Sequence, residues 1–329
     1  MKLAWTAVVL ALAVAAGASA PQDDFKKIVP DIEGAKRSAR KISKESRDRI
    51  EKAVERKLDD KEVNLPIWEG RGSLPEANQS DKVKILYTVV ASKGPKGEFK
   101  VAVALAPDER VIAGVRVLEN KDDPAAGSDD FLIQFDQFRY SPNVWNPGSA
   151  LDDARKAAAA RKDDRSKQID GIFKLFGIMH QVDASWRRLQ RRLDESDKAA
   201  GDDADAVAKF FADTENLLPD FGFLRASSSD SFRRRLKDSV AELKKVSQNA
   251  KAGKFVEARA GASEVNKMSC TLCHAGNVRI FRDKRAEFGV GNGYFAVGHD
   301  VIAIEGPKES FEAVAKAIRL AVLILSEAK

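Results

Sequence analysis

With 329 residues, the chain is long enough for two ordinary domains, and at 43% hydrophobic it can bury a core in each. Its 56 Lys plus Arg nearly cancel 50 Asp plus Glu, which excludes a disordered polyelectrolyte. The basic residues are mixed with acids and carry little aromatic interleaving, so no nucleic-acid partner is expected, while a net charge of +6 suits docking to an acidic protein or an anionic membrane surface.

Residues 1–20 read as a signal peptide. Lys2 supplies a short positive region, and residues 3–16 form an apolar stretch too short to span a membrane. Ala16-Gly17-Ala18-Ser19-Ala20 then offers small-residue cleavage sites after Ala18 or Ala20. The expectation is an exported, periplasmic protein without a stable transmembrane anchor.

Residues 34–60 alternate charge and aliphatic side chains, with Ile42, Ile50, Val54 and Leu58 spaced for one face of an amphipathic helix. Three Val- and Ile-rich runs follow at 84–91, 99–105 and 111–119. The turn signals Gly94-Pro95-Lys96-Gly97 and Pro107-Asp108-Glu109 separate them, which predicts an antiparallel meander. Residues 131–138 add one more short element, and 141–149, with two prolines and a glycine, break regular structure.

From residue 151 the pattern is helical. A solvated connector over 151–167 precedes helices at about 169–197, 203–218, 229–250 and 254–283, with short breaks that favour antiparallel packing. Residues 284–329 form a tail with a Gly-rich stretch and a last apolar helix over 311–325. Lys316 and Arg319 interrupt that helix, so it is expected on protein rather than in lipid. The fold class expected is an α+β N-terminal domain with an antiparallel sheet over 34–160, followed by an all-α four-helix bundle over 165–283.

The chain holds two cysteines, both in Lys267-Met268-Ser269-Cys270-Thr271-Leu272-Cys273-His274. C-x-x-C-H is the attachment signature of c-type haem: two thiols one helical turn apart reach one porphyrin edge, and His274 offers a nitrogen to iron. A thioredoxin-like disulfide lacks the βαβ pattern around it, and zinc lacks further ligands at finger spacing, since there are three histidines in all. Two unrelated core cysteines would leave His274 unexplained.

The motif late on the last of four helices resembles cytochrome c prime over residues 169–283. That resemblance implies one covalent haem c inside a helical bundle, with His274 as the proximal ligand and a homodimer as the common assembly. Such proteins carry an Arg four residues after the histidine; here Val278 holds that position, with Arg279 next. The first helix decides the sixth iron position. An apolar residue there implies binding of nitric oxide or carbon monoxide, whereas a sulfur or nitrogen ligand implies electron transfer. Phe176-Gly177-Ile178-Met179-His180 offers Met179, with His180 competing and His299 a lesser candidate; Met268 stands too close to Cys270 to serve. Arg279, Arg282, Lys284 and Arg285 either pair with haem propionates or form a solvated helix end.

The front segment resembles the FMN-binding domain of sodium-pumping and Rnf-type oxidoreductase subunits. Residues 97–105 and 111–119 carry the likeness, with Asn120-Lys121-Asp122-Asp123-Pro124 in place of the family's Glu-Thr-Pro-Gly turn. Where that family has Ser-Gly-Ala-Thr, this chain reads Asn146-Pro147-Gly148-Ser149, leaving Ser149 as the residue for FMN. Two motif positions are altered and a proline removes an amide donor, so a domain that kept the fold without the flavin is the alternative. Together the readings imply an electron carrier between periplasmic redox proteins, with or without a flavin-to-haem relay, rather than an enzyme that turns over a substrate. The alternative is a gas-binding haem protein with a docking domain.

Overall fold

The computed structural model describes residues 20–74, 82–136, 165–217, 230–271 and 304–328. They divide into two compact units: one takes the described residues up to Ser128, Phe135 and Asp136, and those from Glu305 onward; the other takes Asp129–Gln134 with the helical residues from 165 to 271.

The first unit is built on one five-stranded antiparallel sheet in simple chain order: β1 (Glu33–Arg37), β2 (Trp68–Gly72), β3 (Val83–Lys93), β4 (Glu98–Ala106) and β5 (Val111–Asn120). Helix α1 (Ala20–Ile28) precedes it, α2 (Lys44–Val54) and the short α3 (Asp60–Val63) lie between β1 and β2, and α9 (Lys308–Glu327) ends the unit. Strands β3, β4 and β5 fall on the Val- and Ile-rich runs, whose branched side chains fit a pleated surface. Register pairs Tyr87 with Ala104 and Leu86 with Leu105, so odd positions of β3 share a face with even positions of β4.

Each face has its own cover. Phe25 of α1 stacks on Tyr87 with ring centroids 4.8 Å apart, in a core shared with Val29, Ile32, Ile85, Ala102 and Ala104. Burial pushes the Tyr87 phenol up, and its hydroxyl has no partner among the described residues. The opposite face carries Leu86, Val90, Val101, Val103 and Leu105, all buried. Helix α9 packs on β3 and β4, and the Ser92 hydroxyl, of that same parity, donates to the Ala313 carbonyl at 2.9 Å.

Helix α9 is apolar nearly all round, as a helix buried on several sides must be. Its N-terminal turn is tied by Asp122, which accepts from the Ser310 hydroxyl at 2.5 Å and from the amides of Lys96 and Gly97. At its C-terminal end Glu327 accepts from the Ser46 hydroxyl at 2.6 Å and pairs with Arg49. A side chain on Gly97 would run into the Lys121 carbonyl, which is why the β3–β4 turn needs glycine there.

Three expectations are changed or made specific. Residues 34–60 are not one helix: the stretch begins as β1, and α2 starts only after Ser43, whose hydroxyl accepts from the Ser46 amide. Residues 131–138, read as one more short element of no stated type, open inside a short helix, α4 (Asp129–Leu132). The last helix, read as part of a tail, completes the sheet unit.

The second unit contains α4 and four longer helices: α5 (Arg165–Asp194), α6 (Ala200–Leu217), α7 (Asp230–Lys251) and α8 (Phe255–Val265). Consecutive helices pack on each other, and α8 also meets α5. One core joins them. Leu189 and Leu193, Ala204 and Val207, Leu243 and Val246, and Ala262 and Val265 are buried at helical three- and four-residue spacing. Small residues let the helices approach closely: a Cβ on Gly261 would meet Val246 Cγ2 at 2.8 Å. Among the described residues, no helix is long and apolar enough to cross a membrane.

A charged network sits in this unit. Arg188 Nε and Arg192 Nη1 each donate to Asp203 at 2.9 Å, and Arg191 and Arg192 pair with Asp130 of α4. Burial pushes the Asp203 carboxyl above its ordinary value, partly offset by the hydrogen bond and charge of Arg188 and the charge of Arg192.

Candidate functional site

Helix α8 does not simply continue toward the cysteine motif. At Asn266–Thr271 the backbone widens into a π-helical turn. In an α-helix, a residue five positions beyond Val265 would be turned well away from it; an i→i+5 turn brings that residue back toward the same side. Val265 is fully buried, Ser269 is buried, and Cys270 is partly buried against the helical core. The Ser269 hydroxyl lies 2.5 Å from that of Ser239 on α7, a buried pair that anchors the widened turn. Local widening of this kind recurs at functional sites.

Cys270 has company from the other end of the unit. Ile178, Met179 and Trp186 of α5, and Phe210 of α6, border the same apolar cluster. The first and last long helices therefore bring Met179 and Cys270 to one core, although their separation in the chain is 91 positions (270 − 179). His180, the next residue on α5, is also partly buried. Met268 is partly buried within the π-helical turn itself.

Cys273 and His274 of the C-x-x-C-H motif lie outside the described residues, as do Ser149, His299 and the basic run 279–285. Among the described residues no group of three His, Cys, Asp or Glu side chains could hold a metal ion. The described part of the motif offers the Cys270 thiol, and α5 the Met179 thioether, each at the border of one apolar cluster.

In the front unit, the turn over residues 120–124 is committed to the fold. Asp122 ties α9 to the β3–β4 turn, and the Asp123 carboxylate accepts from the Ala125 amide at 2.9 Å to cap a 3-10 turn over Pro124–Gly127. Sequence reading did not find the Ser239–Ser269 pair, because two serines 30 positions apart carry no local signal. Compared with known proteins, the chain matches no family model, no curated protein and no solved structure.

Proposed function

We propose that this chain is an exported monohaem c-type cytochrome that carries single electrons between redox partner proteins. Cys270 and Cys273 would hold the haem through thioethers, His274 would ligate its iron, and helices α5 to α8 would form the bundle around it. The observation that carries this reading is that Met179 and Cys270 both pack against one apolar cluster. Bound there, the haem would supply one-electron exchange. The chain's own residues would exclude water with the apolar cluster, orient the attachment turn through Ser269 and Ser239, and offer Met179 or His180 as a second axial ligand.

Ile178 borders the same cluster as Met179, and this favours a second reading. With an aliphatic side chain over the iron, the site would be open and would bind a small gas. In both readings the sheet unit serves as a docking domain, and a flavin-to-haem relay depends on Ser149.

The test is absorption spectroscopy of the full chain matured with haem, oxidised and reduced, with and without carbon monoxide. Sharp low-spin bands unmoved by the gas support electron transfer, with Met179→Ala or His180→Ala then exposing the site. A high-spin spectrum that shifts with the gas supports the second reading. Retention of covalent haem by a Cys270→Ala, Cys273→Ala double variant, or no haem on the natural chain, would overturn both.

A further inference from the structure

The sheet unit contains a cavity of about 370 Å³, far in sequence from the cysteine motif. Its walls come from the segment after β1, the loop before β2, and Ile324 of α9. The size falls at the lower end of small-molecule sites, which are mostly apolar with a few placed polar groups.

Its lining is divided by chemistry. Leu65, Ile67 and Ile324 are aliphatic; Arg37, Arg40 and Lys41 are cationic, and no acidic side chain lines the cavity. The nearest counter-charge is Glu69, and it is shared: Lys36 Nζ stands 3.4 Å from it and Arg40 Nε 3.5 Å. Arg40 is further held by its bond to the Ala328 carbonyl at 3.0 Å, so its guanidinium is fixed at the wall. Arg37 and Lys41 are exposed and meet no carboxylate among the described residues. A lining that mixes aliphatic side chains with surplus positive charge is complementary to a molecule with an apolar body and one anionic head.

The geometry points to a binding site for an amphipathic anion, a carboxylate or phosphate ester on an aliphatic chain. Arg37, Arg40 and Lys41 would receive the head, where guanidinium offers paired hydrogen bonds to either oxyanion. Leu65, Ile67 and Ile324 would take the chain. The site rests on the sheet unit alone and is independent of the haem reading.

The test titrates the full chain by calorimetry with laurate and with dodecyl phosphate, each below its micelle-forming concentration, and with dodecanol as the uncharged control. One molecule bound per chain is expected for at least one anion, the tighter of the two identifying the head group. Dodecanol should bind at least about tenfold more weakly, the equivalent of about 1.4 kcal/mol. An Arg37→Glu, Lys41→Glu double variant changes only exposed charges and should weaken anion binding about tenfold or more. Leu65→Trp, at a half-buried wall position, should abolish it. Thermal melts matching the natural chain establish that both variants are folded. Absence of binding by both anions, equal binding of dodecanol, or binding that survives either variant would overturn the site.

Discussion

The two units bury their interiors by different means. In the sheet unit, one face is closed by a helix from the start of the described chain and the other by a helix from its end, with aliphatic and aromatic side chains doing most of the packing. The helical unit has an apolar core too, but it also holds an ion pair with both partners buried, Arg188 and Asp203 at 8% and 6% exposed. The buried Glu51 of the sheet unit pairs instead with the more exposed Arg47 and Lys57. An apolar interface loses stability in proportion to what is removed. A buried ion pair loses far more when one partner goes than the pair itself contributes, because the remaining charge is stranded. The units should therefore fail differently.

The largest effect is expected from ending the chain at residue 304. Phe311, Val314, Ile318, Leu323 and Ile324 are each 2% exposed or less, and burying such side chains contributes about 1.5–3 kcal/mol apiece. Their sum is comparable with the whole net stability of a domain, about 5–15 kcal/mol. Hydrogen exchange should show β3 and β4 unprotected in the shortened chain while α6 and α7 keep their protection. Equal loss in both sets of amides would erase the distinction between the units.

Arg188→Ala comes next. It leaves the Asp203 carboxylate buried beside Arg192 alone, at an expected cost of about 3–5 kcal/mol in chemical denaturation followed on the helical unit. Replacing the pair together, Arg188→Met with Asp203→Leu, should cost clearly less. If the single and double variants lose the same amount, the stranded-charge account fails.

The smallest effect is a contrast in acid. Hydrogen bonds from Lys57 and Arg47 hold the Glu51 carboxyl at about 2, below its ordinary 4.5, so its contribution to the sheet unit is present above 4.5 and is lost as pH falls toward 2. Asp203 has the opposite sign: burial raises its carboxyl above 3.8, so its protonation on acidification favours the folded helical unit. Thermal melts from pH 6 to pH 2 should show the sheet unit weakening first, and Glu51→Gln should flatten that decline. An unchanged slope in the variant would assign the acid sensitivity elsewhere.

How far the sequence could be read follows from which signals are local. Strands β3, β4 and β5 were legible because Val-rich runs between Gly and Pro turns leave few alternatives. Strands β1 and β2 were not: Glu33-Gly34-Ala35-Lys36-Arg37 and Trp68-Glu69-Gly70-Arg71-Gly72 have little strand propensity and pair through their backbones. The charged periodicity over 34–60 therefore looked like one helix. Helix α9 was visible as a helix, but its attachment to strands more than 200 positions earlier has no local trace. At the candidate site, the cysteine motif and Met179 were both readable, whereas the π-helical turn that brings Cys270 to the core depends on packing against α7. Cys273, His274 and Ser149 are known from the sequence alone.

Helix α9 also imposes an order on biosynthesis. The bonds from Arg40 to Ala328, Ser46 to Glu327 and Ser92 to Ala313 span 288, 281 and 221 positions. Until the ribosome has passed residue 327, one face of the sheet stays bare, while the helical segments between have already emerged and need only near neighbours to pack. Contacts of such long range are slow to form. A nascent chain stalled after the helical segments have emerged but before α9 would thus carry a packed helical unit and a sheet with an open greasy face, a surface for chaperones and proteases to recognise.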